Sequence, residues 1–313
     1  MGTTSFAMAE RIEADRAMPS PFVHLHVHSS YSPMQGVPSL ETLCRTARAQ
    51  GADILALTDT NGLYGAIRFL EVARASGIKP ILGTELTYRT HRAVLLAKTP
   101  AGYGNLCRIL SARHDEPAFD FTATVAQHRG GLIILSDDQA ALTEWHRYSR
   151  DDLFVELTPG PDMAETLAFS RRSGLPPVAT NRAQFVAPSD YQLHRLLRAI
   201  AMNTTLSRLP GDACCRPTHW MMPAADLARQ FPHVPEALAN SRHIAEHCAT
   251  DWTLNTVSSR RFDTSPRLRP STASAHRLTK ARTSGTEHSP LQSLRASSMN
   301  SPSFATRDMR SIF

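Results

Sequence analysis

The sequence predicts an α/β fold in which parallel βα units close into a barrel. Between residues 21 and 201, short apolar runs suited to buried strands alternate with segments of helical periodicity. About seven βα units fit into this length, which suits a barrel. Neither a G-x-G-x-x-G nor a G-x-x-x-x-G-K-[ST] phosphate loop is present, so a closed barrel is favoured over an open doubly wound sheet.

The predicted barrel begins with residues 21–31, where apolar side chains alternate with three histidines. Strand side chains have a period of two, so His24, His26 and His28 are expected on one face. Two imidazoles near the end of a strand can be aimed at one point, which suits Zn²⁺ or a similar transition metal. A strand with incidental histidines is the alternative that the spacing leaves open.

The other elements follow from local signals. Ser39 caps the first predicted helix, Gly51 ends it, and Gly77 ends the second. Apolar runs predict strands at residues 52–58, 78–83, 85–88, 93–97, 132–136, 153–157 and 176–180. Apolar stripes at helical spacing predict helices at residues 39–50, 61–76, 101–112, 140–148, 162–173, 189–201 and 235–248.

The two ends of the chain differ from its middle. Residues 1–20 are predicted to be a flexible leader, and residues 202–253 a helical extension of the barrel. In residues 254–313, twenty of sixty residues are Ser or Thr and no periodicity remains, so this tail is predicted to be disordered.

The basic charge of the chain lies in that tail. The tail holds ten Lys and Arg against three Asp and Glu, a charge of +7, so a chain with net charge +6 leaves about −1 for its first 253 residues. The charge therefore does not indicate a nucleic-acid-binding surface on the barrel. Any DNA binding is expected to be weak and to use the tail.

Composition also bears on where the protein works. No apolar run approaches the ~20 residues of a membrane span, and the N-terminal stretch lacks the long apolar run of a secretory signal. The five cysteines are odd in number and contain no C-x-x-C, which fits reduced thiols. The sequence therefore predicts a cytoplasmic protein without a membrane partner.

Two acidic residues come directly after predicted strands. They are Asp59 and Glu85, and the C-terminal ends of barrel strands converge on one rim, where active sites are built. With His26 and His28, these carboxylates could hold one or two divalent ions, and a metal-bound water could attack a phosphate ester. Helix N-capping by Asp59 and a surface position for Glu85 are the alternatives.

Several blocks of the sequence resemble, in order, the PHP (polymerase and histidinol phosphatase) domain. The blocks are HLHVHSSYS, LALTDTNGLYGAI, GIKPILGTEL, AVLLAKTPAGYGNLCRI, and VATN followed by YQLHRLLRAIAMNTTL. More narrowly, residues 21–252 resemble the PHP domain that opens the α subunit of bacterial DNA polymerase III and its error-prone relatives. The resemblance implies a distorted (β/α)₇ barrel with several metal ions at its rim, which in active members assist phosphoester hydrolysis.

By this resemblance, the metal ligands are expected at four positions, which are His26, His28, Asp59 and Glu85. Other ligand positions of the family hold poor ligands in this chain, namely Thr60, Arg92, Arg182 and Gln184. A cysteine expected after the 132–136 strand is also absent, and the histidine nearest to Arg92 is one position off, which turns it to the opposite face of a strand. We therefore expect a degenerate site that holds a divalent ion, Zn²⁺ or Mn²⁺, weakly or not at all.

Arg182 changes the chemistry expected at the rim. A guanidinium stays protonated and cannot ligate a metal, and its positive charge opposes a second cation. The same charge attracts phosphate, so Arg182 is expected to bind an anion.

The resemblance also bears on the activity of the chain. The family implies a DNA-directed DNA polymerase, a nucleotidyltransferase of DNA replication or repair synthesis, but the polymerase core should follow the PHP domain and does not fit into the tail. We therefore expect a truncated, N-terminal PHP fragment, without polymerase activity, that docks a polymerase body or a proofreading subunit. A stand-alone metal-dependent phosphoesterase of the histidinol-phosphatase kind and a DNA-binding adaptor are the alternatives. Replicative and error-prone relationships both stay open.

Overall fold

The computed structural model describes residues 22–115 and 119–252. All of these residues belong to one unit of the chain. The predicted leader at residues 1–20 and the predicted disordered tail at residues 254–313 lie outside the described residues.

A six-stranded sheet forms the wall of the barrel, and its strands lie side by side in chain order. They are β1 (Ile54–Leu57), β2 (Lys79–Tyr88), β3 (His91–Ala97), β4 (Leu132–Ser136), β5 (Leu153–Leu157) and β6 (Pro177–Ala179). β3 runs antiparallel to both of its neighbours, β2 and β4, and the other neighbouring pairs are parallel. The two segments predicted at residues 78–83 and 85–88 are one strand, β2, which turns back into β3 and distorts the uniform βα order.

The histidine-bearing segment, residues 22–28, joins the two edges of this sheet. On the side of β1, the Thr58 N–H donates to the Val27 carbonyl (2.9 Å). On the side of β6, the Ala183 N–H donates to the His26 carbonyl (3.0 Å). The segment is extended as predicted, but it pairs through single hydrogen bonds and one isolated bridge, between Val27 and Ala183, and not as a continuous strand. With it, the six strands make the distorted (β/α)₇ barrel that the sequence predicted.

Nine α-helices accompany the strands within the described residues. They are α1 (Leu40–Ala49), α2 (Ala66–Ala75), α3 (Pro100–Asp115), α4 (Phe121–His128), α5 (Gln139–His146), α6 (Met163–Ser173), α7 (Tyr191–Ala201), α8 (Ala224–Ala228) and α9 (Pro235–His247). α2 begins later than predicted because Asn61 has a left-handed backbone (φ 52°) and bonds through its side chain to Thr87. Among the described helices, none has both the length and the apolar character that a bilayer crossing requires.

Apolar side chains fill both the inside of the barrel and the layer between sheet and helices. Ile81, Val94, Ile133 and Val178 come from four different strands and belong to one buried cluster. A second cluster packs α1 and α2 against β1 and β2, and a third packs α3, α4 and α5 against β3, β4 and β5. The rigid wall that results fixes the positions of the polar side chains at one end of the strands.

Candidate metal centre

Three buried side chains converge where segment 22–28 meets β2. They are His26, His28 and Glu85, whose side chains are at most 8% exposed. The Nε2 atoms of the two histidines lie 3.1 Å apart. The Glu85 carboxylate oxygens lie 3.4 Å from His26 Nε2 and 3.8 Å from His28 Nε2. The structure therefore brings together three of the four side chains that the sequence predicted as metal ligands.

Glu156, on β5, fixes the orientation of the His26 ring. The Glu156 Oε1 atom lies 2.6 Å from His26 Nδ1, so Nδ1 carries the proton and donates it. Thr180 Oγ1 donates to the same Glu156 oxygen (2.6 Å) and holds the carboxylate in place. The Nε2 lone pair of His26 is thereby left facing His28 and Glu85, which is the arrangement found around histidines that bind metals.

A second network fixes the His28 ring. Ser32 Oγ donates to Asp59 Oδ1 (2.7 Å), and Ser32 Oγ also lies 3.1 Å from His28 Nδ1. Because the Ser32 hydroxyl proton is used on Asp59, the serine oxygen accepts the Nδ1 proton of His28. His28 Nε2 therefore also presents a lone pair to the centre.

The donor set fits one divalent ion. Ligands about 2.1 Å from a tetrahedral ion lie about 3.4 Å from one another. The three separations here, 3.1, 3.4 and 3.8 Å, bracket that value. Two imidazole lone pairs and a carboxylate facing one another repel unless a cation or a proton lies between them, and two histidines with one carboxylate suit a transition metal.

Asp59 is not part of this group of three. Its carboxylate accepts hydrogen bonds from the Ser29 N–H (2.7 Å), the Ser29 hydroxyl (2.8 Å) and the Ser32 hydroxyl. The loop that carries these serines is tight at Gly36, where an added Cβ would lie 1.9 Å from the Ser29 carbonyl oxygen. Asp59 thus acts on His28 through Ser32, and metal ligation by Asp59 itself stays a prediction.

Thr60, at a ligand position of the family, contacts the centre as a hydrogen-bond donor. Its hydroxyl donates to Glu85 Oε2 (3.0 Å) and lies 3.3 Å from His28 Nδ1. A threonine hydroxyl here orients the carboxylate, whereas an imidazole in its place would add a ligand.

Two arginines occupy the neighbouring part of the rim. Arg182 Nη2 donates to Asp137 Oδ2 (2.7 Å) and to Glu156 Oε2 (3.0 Å). Arg92 Nη2 donates to both oxygens of Asp137 (3.0 and 2.7 Å), and Arg92 Nε lies 4.0 Å from Glu85 Oε1. Charges of opposite sign therefore alternate from Glu85 through Arg92, Asp137 and Arg182 to Glu156, and His26 joins Glu156 back to Glu85.

Arg182 is nearly enclosed at this place. Its side chain is 11% exposed, and its backbone has the left-handed conformation (φ 48°) that costs energy for a residue other than glycine. Burial lowers the pKa of its guanidinium, but the charges of Glu156 and Asp137 outweigh burial and raise the pKa overall. The Nε and Nη2 donors of Arg182 already bond to acids, which leaves fewer donors for an anion. Anion binding by Arg182 stays a prediction.

Two carboxylates of the rim, Glu156 and Glu85, have lowered pKa values. Burial raises the pKa of Glu156, but Arg182 and His26 outweigh it and leave the pKa well below its usual value. Burial likewise raises the pKa of Glu85, and the opposing effects of His28, His26 and Arg92 bring the net pKa well below its usual range. Burial lowers the pKa of His26, but Glu156 and Glu85 raise it overall, so without a metal its Nε2 attracts a proton.

His24 lies apart from the other two histidines. The chain bends at His26, which interrupts the period of two and separates His24 from the group of three. Its ring packs edge-on against Phe22, with centroids 4.8 Å apart. Burial lowers the pKa of His24 to about 4, which keeps the ring neutral.

Sequence reasoning did not single out three residues that matter to the centre. Glu156 could have been found, because a charged side chain within the apolar run LFVEL needs a buried partner. Ser32 gave no such signal, because its role depends on how the loop folds back onto Asp59. His219 is buried, and neither of its ring nitrogens has a hydrogen-bond partner among residues 22–115 and 119–252; burial, followed by the charges of Arg182 and His26, lowers its pKa to about 3.

Comparisons with known proteins show which family this chain resembles. A family model described as the PHP domain matches residues 24–165. DNA polymerase III subunit alpha of Treponema pallidum is 31% identical over 272 residues, covering 72% of this chain and 23% of the relative. The error-prone DNA polymerase of Symbiobacterium thermophilum is 30% identical over 277 residues, covering 72% of this chain and 25% of the relative. The chain thus spans about a quarter of the length of these curated relatives.

A solved structure is also similar to this chain. It is a two-domain protein from Bacteroides vulgatus whose description names a predicted PHP-like metal-dependent phosphoesterase, with 14% sequence identity and a TM-score of 0.41 over 56% of this chain and 55% of that one. The family match at residues 24–165 contains His26, His28, Asp59, Glu85 and Glu156. The chain therefore carries a domain of the PHP family, and it is related to the α subunits of bacterial DNA polymerase III and to error-prone DNA polymerases.

Proposed function

We propose that this barrel is the PHP domain of a protein of the polymerase III α type, that it binds a single divalent ion, and that its phosphoester hydrolysis is weak or absent. The observation that carries the proposal is the convergence of His26 Nε2, His28 Nε2 and the Glu85 carboxylate within 3.8 Å of one another. A cytoplasmic role in DNA replication or repair synthesis follows from the relatives and is part of the same proposal.

The surrounding residues support a site prepared for one ion. Glu156 and Ser32 hold the protons of the two imidazoles on Nδ1, away from the centre. A bound Zn²⁺ or Mn²⁺ would supply a Lewis acid that polarises a phosphoester and lowers the pKa of a bound water. The residues of the chain bind the ion, orient its ligands and keep Glu85 ionised.

The acids next to this site are not free to bind further ions. Among the described residues, Asp137 and Glu156 are paired with Arg92 and Arg182, so a further metal ion would have to displace a guanidinium group. Some phosphoester hydrolases use two or three metal ions to hold both the attacking and the leaving oxygen. A site that binds one ion cannot hold both oxygens in this way. This is the reason for the weak activity that we propose.

The experiment measures metal content and hydrolysis together. The full chain is dialysed with Zn²⁺ or Mn²⁺, and bound metal is measured by elemental analysis beside the turnover of a chromogenic phosphodiester and of single-stranded DNA. We expect about one ion per chain, lost in His26→Ala/His28→Ala, with turnover near background. The matched control is His243→Ala/His247→Ala, which removes an exposed histidine pair whose ring centroids lie 4.2 Å apart.

Two results would contradict the proposal. Metal that remains in the His26→Ala/His28→Ala variant but leaves the control variant would place the ion on α9. Robust hydrolysis that disappears with His26 and His28 would favour the stand-alone phosphoesterase, because three ligands would then suffice for the reaction.

We also propose that the barrel docks the polymerase body or a proofreading subunit through α7. Leu193, Leu196 and Ile200 lie on one face of this helix at helical spacing and are 43–55% exposed, as expected of a surface covered by another protein. Leu196→Glu/Ile200→Glu should abolish co-elution with the polymerase core or proofreading subunit of a relative. Ile67→Glu, at an exposed apolar residue of α2, is the control that should leave binding unchanged. Equal binding by both variants would refute this role for α7.

A further inference from the structure

A polar pocket of about 270 Å³ opens beside the metal centre, and Glu85 is not among the residues that line it. Arg92, Arg182 and Arg216 line it together with Thr158 and Thr166. It reaches the metal centre through Glu156, which lines the pocket and also accepts the His26 Nδ1 proton. A ligand in this pocket would therefore lie next to, and not within, the group formed by His26, His28 and Glu85.

Two donors that line the pocket have no hydrogen-bond partner. Within the described residues, the buried Thr158 Oγ1 and Arg92 Nε make no hydrogen bond, and the nearest acid to Arg92 Nε is the Glu85 carboxylate at 4.0 Å. A buried donor without a partner costs roughly 1–3 kcal/mol, so such groups are commonly satisfied by a water, an ion or a ligand. Both groups can donate to an oxygen atom, and an Arg Nε–H cannot accept a hydrogen bond. The pocket is therefore suited to a ligand that has several oxygen atoms able to accept hydrogen bonds.

Arg216 provides the positive charge that is most easily shared with a ligand. Its Nη2 donates to Asp162 Oδ2 (2.8 Å), and its Nη1 donates to the Pro159 carbonyl (3.2 Å). The Asp162 side chain is 77% exposed, so water weakens this pair and an incoming anion can replace the carboxylate. The guanidinium lies close against Gly160, where an added Cβ would come within 1.6 Å of Nη1.

The other charges of the pocket are already balanced. Arg182 is paired with Glu156 and Asp137, and Arg92 with Asp137, so these two arginines and two acids contribute no net charge. The beginning of α6, at Met163, adds the partial positive charge of a helix N-terminus. Arg216 and Asp162 also balance each other while they are paired, so the net attraction for an anion depends on displacement of Asp162. The Thr158 hydroxyl and Arg92 Nε then set the position of the anion.

We propose that this pocket binds the phosphate group of a phosphoester, with the Arg216 guanidinium and the Thr158 hydroxyl as its main donors. The inference rests on the proposed function for the identity of the ligand as a phosphoester. Arg–phosphate contacts are often bidentate, and replacement of Asp162 frees the fork of Arg216 for such a contact. The anion site expected at Arg182 is thereby assigned to neighbouring residues whose donors are less occupied.

The test measures binding of inorganic phosphate to the full chain by isothermal titration calorimetry, with EDTA present and at low ionic strength. We expect saturable binding of one phosphate per chain. Arg216→Gln should weaken this binding at least about tenfold, since it removes hydrogen bonds to a charged group. Thr158→Val, which removes only a hydroxyl, should weaken it about threefold or more. Arg147→Gln, at an exposed arginine paired with Glu144, should leave it unchanged.

EDTA separates this inference from the metal proposal. Phosphate binding that persists in EDTA and depends on Arg216 supports the pocket even if no metal binds to His26 and His28. A second titration compares a 5′-phosphorylated dinucleotide with its unphosphorylated form, and only the phosphorylated form should compete with phosphate. Failure of the wild type to bind phosphate, equal affinity in Arg216→Gln, or competition by both dinucleotides would overturn the inference. Circular dichroism verifies the fold of each variant. If Arg216→Gln is unfolded, the phosphate affinity of Thr158→Val decides the test: a loss of about threefold or more supports the inference, and an unchanged affinity overturns it.

Discussion

The two parts of the barrel rim stabilise buried carboxylates in opposite ways. Glu85 faces two imidazole nitrogens that present lone pairs, with Nε2 atoms 3.1 Å apart. Asp137 and Glu156 face the guanidinium groups of Arg92 and Arg182, at distances of 2.7–3.0 Å. The first arrangement needs a cation or a proton from solution, whereas the second carries its cations in the sequence.

This difference shows what an arginine does at a position where a ligand is expected. A guanidinium neutralises acids at any metal concentration and at any pH of interest, because its pKa stays far above neutrality. The guanidinium also occupies the space of a second ion and neutralises the acids that would bind it. One part of the rim therefore takes its cation from solution, whereas the cations of the other part are arginine side chains that do not exchange with metal ions.

Removal of Arg182 would break the comparison and has the largest expected effect. Arg182→Ala leaves the buried Glu156 without its guanidinium partner, while the half-buried Asp137 keeps Arg92, so we expect the free energy of unfolding to fall by about 3–5 kcal/mol. Mn²⁺ should recover part of this loss in the variant by binding to the freed acids, and it should stabilise the wild type less. Denaturant unfolding with and without Mn²⁺ measures both effects.

The control for this prediction is an arginine whose charge is exposed. Arg68→Ala removes surface pairs with Glu41 and Glu71, and we expect it to change stability by less than about 1 kcal/mol. If Arg182→Ala costs no more than Arg68→Ala, the buried pairs are not the source of stability at this part of the rim.

Neutralisation of Glu156 would test how the two parts are joined. Glu156→Gln weakens the acceptor that holds the His26 proton on Nδ1, so we expect the affinity for Zn²⁺ to fall about 10–100-fold. Competition with a chromogenic chelator measures the affinity. Asp137→Asn is the matched control, because it also removes a partner of Arg182 but leaves the contact between Glu156 and His26 intact. Equal losses in the two variants would show that charge alone, and not the orientation of His26, governs metal binding.

Acid should act through a buried histidine near both parts, His219, since histidines titrate where arginines do not. Burial lowers the pKa of His219 to about 3 from its usual value of 6.5. Below pH 6.5 this histidine is therefore protonated in the unfolded chain but stays neutral in the folded chain. Stability is therefore complete above pH 6.5 and is lost as the pH falls toward 3. We expect His219→Leu to reduce this slope by up to about 1.4 kcal/mol per pH unit.

The same variant makes a further prediction at neutral pH. Because both ring nitrogens of His219 lack partners, replacement by an apolar side chain of similar size should be neutral or stabilising at pH 7.5. Urea unfolding at several pH values between 4 and 7.5 measures both effects. An unchanged slope, or a loss of more than about 2 kcal/mol at pH 7.5, would mean that the imidazole has a partner that matters to the fold.

Local patterns predicted most of the fold. The strands at residues 132–136 and 153–157 begin and end where their apolar runs do, because both faces of a parallel strand are buried. The helix at Phe121–His128 was missed, because its threonines and its short length give it weak helical propensity. It forms because Asp120 caps it and Phe121 and Val125 are buried.

The candidate site could be predicted only where chemistry and spacing coincide. His26 and His28 are two residues apart and Glu85 follows them in a family pattern, so their meeting could be expected. The use of Asp59 through Ser32 depends on the fold of the loop between residues 29 and 36, to which no periodicity applies. The pairing of Arg182 with Asp137 joins residues 45 positions apart in the chain, and the sequence carries no local signal for such a pair.

The segment that joins the two edges of the sheet also sets the order of events during synthesis. Residues 22–28 emerge from the ribosome before the rest of the described chain, yet His28 pairs with Ala183, which is added 155 residues later (183 − 28). At about 5–20 residues per second this interval is roughly 8–30 s. Throughout it, residues 22–28 can pair with β1 on one side, but their other side and the last strand made lack a partner and are open to pairing with other chains. The nascent protein is therefore expected to depend on chaperones most strongly just before residue 183 is made, and a slower ribosome would lengthen that exposure.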